Sequence, residues 1–530
     1  MSLSPSASRR GHGHSHGEPG EADEQTPLLI GGGTAIVPPS HDAEPNPKLP
    51  SPSPSPAQDG RQKPLTTAAE SHASPPPSLP KIQILVLCYA RMMEPIAFFS
   101  IFPFIAQMVQ RNGSLPASDV GFYSGLIESL FSATQMVVLI LWGRLADRVG
   151  RKPVLLASLA GMAAGPALFG LATSLWQMIL FRCLAGVFSG SSLVIRTMIS
   201  EHSTPGTQAR AFSWFAFGGN LGIFLGPIVG GALADPVQQY PRFFAGNRFL
   251  ERYPYALPGF VVGAICATGV VVTALFLEET LPDQKKTSSS SSQTSQDATP
   301  AAPKEMSIWD LVRSPGVALV LALYSHVMLL AFAFTAIVPV ALYTPVALGG
   351  LGLSSLLISA YMAAQGASQA LWLLAAFPWL QRRLGTRGVL RACGLAYPFF
   401  FAGYPLLNAL LRQGTEPART CFWVLGALVA LVGPGVSMAF TGVQLSLNDV
   451  SPSPKVLGTL NAIALTASSG IRSVAPGVST AIYAVGVRNH ILWGHLAWIL
   501  LIPLAAAVPF FVKLLPEDKK PQQEPVDEEQ

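Results

Sequence analysis

The chain has 530 residues, of which 50% are hydrophobic and only 12% charged, about half the charged share of an ordinary soluble protein. Its mean hydropathy of +0.41 includes long polar ends, so the remainder is more apolar still. These values exclude a string of soluble domains, and a formal charge of +5 without a basic block interleaved with aromatics excludes nucleic acid as a partner.

Residues 1–80 are rich in Pro, Ser and Gly, with the run Ser51-Pro52-Ser53-Pro54-Ser55-Pro56. Such a segment buries too little apolar surface to offset its ordering entropy and reads as a disordered tail. His12, His14 and His16 alternate with Gly and Ser, a spacing open to loose metal binding but more often incidental. Glu24-Gln25-Thr26-Pro27-Leu28-Leu29 resembles an acidic dileucine sorting signal, which implies an adaptor reading Glu24, Leu28 and Leu29 and delivery to a vacuole or lysosome. The first apolar stretch begins only near Lys81, so it reads as an uncleaved span rather than a leader.

Apolar runs then follow over 84–109, 120–142, 154–173, 175–200, 211–234 and 255–277. A second set covers 317–344, 353–376, 389–411, 420–446, 457–484 and 490–513. Each reaches the roughly 20 residues that a helix needs to cross about 30 Å of hydrocarbon. The expected fold is therefore all-α, twelve transmembrane helices in two six-helix bundles, 81–277 and 317–513. A linker over 278–316 separates them, with a low-complexity stretch from Thr287 to Ser295, and 514–530 form a polar tail.

Lys and Arg in the connections set the orientation. The connection after span 2 holds Arg144, Arg148, Arg151 and Lys152, and that after span 8 holds Arg382, Arg383, Arg387 and Arg391. The linker adds Lys285, Lys286, Lys304 and Arg313, whereas the loops after spans 3 and 7 carry no basic residue. Arg242, Arg248 and Arg252 after span 5 are a local exception. Both termini are expected in the cytosol. The cysteines Cys88, Cys183, Cys266, Cys393 and Cys421 form no CxxC pair and read as packing residues.

The strongest motif is Gly143-Arg144-Leu145-Ala146-Asp147-Arg148-Val149-Gly150-Arg151-Lys152-Pro153. A basic loop that merely fixes topology accounts for its bases, but not for a Gly at each end of the turn or for the lone acid Asp147. Span 4 carries Leu180-Phe181-Arg182-Cys183-Leu184-Ala185-Gly186, and span 5 carries Gly222, Gly226, Pro227, Gly230 and Gly231. An arginine within a span normally faces the bundle or a watery cavity, although one near a helix end can instead snorkel to the surface. Small residues four apart allow close helix contact, and Pro227 bends the helix.

Together these motifs resemble the major facilitator superfamily over roughly residues 81–515. The span-5 element is similar to its proton-antiporter motif. Val194 to Glu201 and Leu277-Glu278-Glu279-Thr280-Leu281-Pro282 resemble the fungal drug:proton antiporter branch and its zinc-induced-facilitator-like members. The resemblance implies a gating role for Gly143, Asp147, Arg148, Gly150 and Arg151. The halves echo each other, as repeats of this fold do. In the second copy of the loop, however, Pro378 and Arg382 replace Gly143 and Asp147, so no gating role carries over to it.

Ionisable residues inside spans are the functional candidates. Arg91 and Glu94 lie three apart on one face, where they either pair structurally or serve proton coupling. Glu94 sits about 15 Å along its span, near the midplane. Glu128 has no basic neighbour in its own span and is a proton-binding candidate, with Arg182 and His326 as further candidates. Asn220, Gln365, Arg91 and Arg472, with Gln369, Gln444, Asn448 and Asn461, either line the cavity or bond between helices. No nucleotide loop, nucleophile motif or cofactor site appears, so no enzyme is expected. The reading is a monomeric secondary transporter, partnered by the bilayer and protons, that exports a small organic molecule by proton antiport across the plasma or vacuolar membrane. A uniporter or proton symporter importing a sugar or organic acid is the first alternative, and a non-transporting sensor the second.

Overall fold

A computed structural model describes residues 80–280, 308–452 and 456–515. The histidine-rich and dileucine segments and the Ser/Thr-rich stretch lie outside the described residues. In hydrocarbon every backbone polar group needs an internal partner, so each apolar run becomes a helix.

Span 1 is α1 (Lys81–Phe99) and α2 (Phe102–Gly113); span 2 is α3 (Val120–Val149) and span 3 is α4 (Arg151–Gly170). Span 4 is α5 (Leu175–Val187) and α6 (Ser191–His202), and span 5 is α7 (Pro205–Leu233). Three short helices, α8 (Pro236–Gln239), α9 (Pro241–Phe244) and α10 (Arg248–Arg252), lead to span 6, α11 (Ala256–Phe276). After the linker come α12 (Ile308–Arg313) and span 7, α13 (Val317–Tyr343). Span 8 is α14 (Ser355–Leu371), continued through a π-turn into α15 (Phe377–Gln413), which also holds span 9. Span 10 is α16 (Glu416–Leu431) and α17 (Met438–Asp449); span 11 is α18 (Leu457–Arg488); span 12 is α19 (Leu496–Ala506) and α20 (Val508–Leu514).

By length and hydropathy, 10 stretches among the described residues suit a crossing, and one of them, Ser355–Gln413, runs to 59 residues. That stretch breaks at Gly385 (φ 71°, ψ 170°) and so supplies two spans. With α18, a 32-residue helix carrying Arg472 near its middle, the total is twelve. Lys81, Phe276, Val317 and Leu514 therefore share one side, called here the terminal side; the other is the far side.

The structure corrects the expected connections. Span 2 does not end at 142: α3 continues to Val149, α4 starts at Arg151, and only Gly150 (φ 119°) interrupts the helix. The basic connection after span 8 is likewise helical on both sides of Gly385. Hydropathy marks where hydrocarbon ends, whereas a helix continues into water until a left-handed glycine turns it. Spans 1, 4 and 10 are also broken, at Ser100-Ile101, at Phe188-Ser189-Gly190 and at 432–437, none of which hydropathy indicates.

Each half has its own core. Leu87, Met93, Leu155, Met162 and Ile195 pack in the first bundle, and Leu323, Val327, Leu390, Phe401 and Trp498 in the second. The bundles meet through α3 against α18 and α7 against α14. Hydrogen bonds join them in their far halves: Ser355 to Gln107 (2.7 Å), Tyr343 to Gln110 (2.7 Å), Ser359 to Pro227 (2.5 Å) and Gly477 to Ser129 (2.7 Å). Along α3 the buried residues run from Val120 to Ser132, after which only Trp142 and Ala146 are buried. On the terminal side α3 is thus less covered than on the far side.

Candidate functional site

The break in span 4 makes the first part of the site. Ser189 and Gly190 interrupt the apolar span, and α6 restarts at Ser191 with free N–H groups. The Glu94 carboxylate sits on that new N-terminus: Oε2 accepts from the Ser191 hydroxyl (2.8 Å) and the Ser192 N–H (3.2 Å). Oε1 accepts from the Ser189 hydroxyl (2.9 Å) and from Gln135 Nε2 (3.1 Å). Arg91 Nη1 lies 3.8 Å away. A helix N-terminus favours an anion, and four donors plus a guanidinium satisfy the ionised group in full.

Glu128 lies in different surroundings. It is 5% exposed, and among the described residues no hydrogen bond or ion pair reaches it. Its charged neighbours are Arg182 from span 4 and Arg472 from span 11, in the other bundle. Arg182 does not snorkel; it is 4% exposed, with its guanidinium 4.2 Å from the Phe131 ring centre and 4.8 Å from that of Phe98. Arg472 lies 4.8 Å over Phe98 as well, so this ring stands between guanidiniums of both bundles. Arg91 and Arg196 share the Phe215 ring, at 4.9 and 5.2 Å. Arg91, Arg196 and Arg472 are half-buried, while both carboxylates and Arg182 are buried.

A second cluster caps the terminal side of the first bundle. Asp147 Oδ1 pairs with Arg151 Nη1 (2.8 Å), and Arg151 also reaches Glu201 (3.2 Å) at the end of span 4. Glu279, just past span 6, accepts from the backbone N–H groups of Arg151 (2.9 Å) and Lys152 (3.0 Å) and so caps α4. Asp147 and Arg148 are exposed. The second copy differs as its sequence implies: without an acid, Arg387 donates instead to the carbonyls of Val512 (3.1 Å) and Lys513 (2.6 Å) at the end of span 12.

The span-5 glycines form a stripe against span 1. A Cβ at Gly222 would lie 2.5 Å from the Met92 carbonyl oxygen, and one at Gly226 would lie 3.0 Å from that of Ile96. At Gly230 it would collide with the Ser100 carbonyl, while Gly231 turns to Ser359 across the bundle interface. Pro227 offers its carbonyl to Ser359.

Other candidates lie elsewhere. His326 bonds the Leu504 carbonyl (2.7 Å) and leans on Phe511, so it joins span 12 and not the carboxylates. Gln365 donates to Tyr404 Oη (2.9 Å) within the second bundle. Asn220 is half-buried on α7. Gln444 and Asn461 bond each other (2.7 Å) between spans 10 and 11. Sequence reasoning missed Gln135, Ser189, Ser191 and Arg196 as members of the cluster. The run Ser189-Gly190-Ser191-Ser192 inside an apolar span was the available signal for a break.

Comparison with known proteins agrees with this architecture. The Major Facilitator Superfamily profile matches residues 87–476. An efflux pump of Aspergillus niger, azaK, is 41% identical over 482 residues, covering 91% of this chain and 97% of its own. The protein ZINC INDUCED FACILITATOR-LIKE 1 of Arabidopsis thaliana is 29% identical over 76% of this chain and 83% of its own. Among solved structures, a D-xylose–proton symporter superposes with a TM-score of 0.62 at 14% identity, over 83% of this chain and 99% of that one, a likeness of fold alone.

Proposed function

The chain belongs to the Major Facilitator Superfamily, and from that premise we propose that it exports a small organic molecule from the cytosol in exchange for protons. The excess of Lys and Arg in the connections and linker supports a cytosolic terminal side. Export is supported by the likeness to a fungal efflux pump and by the glycine-proline element of span 5. The membrane is the plasma or the vacuolar one.

One observation carries the coupling: Glu128 is a buried carboxylate without a hydrogen-bond donor among the described residues, and it has a charged arginine neighbour from each bundle. A group so placed gains or loses a proton as the bundles move relative to each other and change its distance from Arg472. Glu94 anchors span 4 to spans 1 and 2. Asp147, Arg148 and Arg151 serve the gate on the terminal side.

The test uses purified protein in liposomes under an imposed pH gradient, with a substrate identified by metabolite profiling of a deletion strain against its parent. Glu128→Gln should lose gradient-driven transport while keeping binding and substrate–substrate exchange. Undiminished gradient-driven transport by that variant would remove the claim. A second reading, substrate and proton crossing together, is favoured by the excess of arginine over carboxylate in the cluster: protonating Glu128 leaves more positive charge for an anion. The sign of the pH gradient that drives accumulation separates the two.

A further inference from the structure

We infer that the substrate is an organic anion, whose carboxylate, sulfate or phosphate group is held by guanidiniums from both bundles. The inference rests on the transporter reading and on the central cluster being its binding site; it holds for either direction of proton movement.

The charges in the cluster do not balance. Among the described residues, the carboxylates that neighbour Arg91, Arg182, Arg196 and Arg472 are Glu94 and Glu128. Glu94 is already committed within the first bundle, to Gln135, Ser189, Ser191 and the N-terminus of α6. Glu128 faces two guanidiniums at once. Arg196 makes no ion pair among the described residues, and its Nε–H has no partner. Among the described residues Arg182 Nε and Nη2 have no hydrogen-bond partner, although Arg182 is 4% exposed.

What the guanidiniums rest on are aromatic rings: Phe98 and Phe131 for Arg182, Phe98 for Arg472, Phe215 for Arg91 and Arg196. A ring orients a guanidinium and relieves part of its desolvation without neutralising it. The charge, and the N–H groups at the edge of the plane, remain available. Burying surplus charge of one sign is costly, and a ligand of the opposite sign compensates it. An oxyanion takes two parallel N–H donors from a guanidinium, whereas a cation would meet a cluster in which guanidiniums outnumber carboxylates. Arg472 comes from the second bundle and the other three from the first, so a bound anion also draws the bundles together.

The experiment titrates purified full-length protein in lipid nanodiscs with matched probes, by calorimetry. These are 1-naphthoate, 1-naphthyl phosphate, the neutral 1-naphthamide and the cationic 1-naphthylmethylammonium. At least one anion should bind about tenfold or more tighter than the amide and the cation, and the better of the two anions identifies the preferred oxyanion. Arg472→Gln and Arg196→Gln should each remove about a tenfold preference and leave the amide unchanged. Arg472→Lys, which keeps the charge, should restore part of it. Equal binding of anion and amide, or preference for the cation, in protein that melts like the wild type would overturn the inference. Charge-selective binding without gradient-driven transport would leave the anion site standing and remove the proton-coupling reading. Gradient-driven transport without charge selectivity would do the reverse.

Discussion

Glu94 and Glu128 are the same residue type, both buried in the first bundle, and their surroundings differ. Glu94 is surrounded by donors, because the break in span 4 exposes fresh N–H groups beside it and Gln135 and two serines point inward. Replacing it by glutamine substitutes a donating NH2 for an accepting oxygen and sets donor against donor. Glu94→Gln should therefore destabilise the protein by roughly 3 kcal/mol, the scale of breaking a buried charge pair. It should be read as a lower melting temperature in detergent, with Glu128→Gln much less affected. If Glu94→Gln instead melts normally and loses gradient-driven transport, the two carboxylates exchange roles.

At the scale of elements, glycine decides how closely spans 1 and 5 approach. Positions 218, 222, 226 and 230 on α7 face Cys88, Met92, Ile96 and Ser100 in order, so the two helices run parallel in one continuous register. The obstacles facing these glycines include backbone carbonyl oxygens, which cannot swing aside as a side chain can. Gly230→Ala should abolish correctly folded protein, measured as a monodisperse peak in size-exclusion chromatography. Gly470 is the contrast: an added Cβ there meets nothing within 4 Å, so Gly470→Ala should be neutral or stabilise by up to about 1 kcal/mol through helix propensity alone. Equal behaviour of the two variants would refute close packing as the reason for the stripe.

At the scale of the whole molecule, two of the hydrogen bonds that join the bundles in their far halves repeat with the fold. Ser359 of span 8 donates to the Pro227 carbonyl of span 5, and Ser129 of span 2 accepts from the Gly477 N–H of span 11. In each case a proline disturbs the helix ladder and a serine from the opposite bundle takes up a backbone group there. Both contacts must break if the far side is to open. Ser129→Ala with Ser359→Ala should therefore shift the population toward far-side opening. Spin labels at the exposed positions Ser114 and Ala347 should then report longer distances than in the parent. An unchanged distance distribution would show that these bonds do not bias the equilibrium.

The sequence by itself determined the membrane class, the all-helical fold, the twelve crossings, the repeat of two halves and the positions of the loop and glycine motifs. These are local properties: hydropathy along about 20 residues, or the spacing of a few residues along one helix. It also identified Glu94, Glu128, Arg182 and Arg472 singly, because a charge inside an apolar span is conspicuous wherever it points. Only the tertiary structure decided which of them meet. Ser129 and Gly477 are 348 residues apart, and Arg472 reaches Glu128 across a similar separation. The broken helix that holds Glu94 depends on spans 1, 2 and 4 together. In a soluble helix the polar face shows which side turns outward, but a span is apolar toward lipid as well as toward its neighbours. Its rotation is therefore settled by packing, and with it which charges share the path between the bundles.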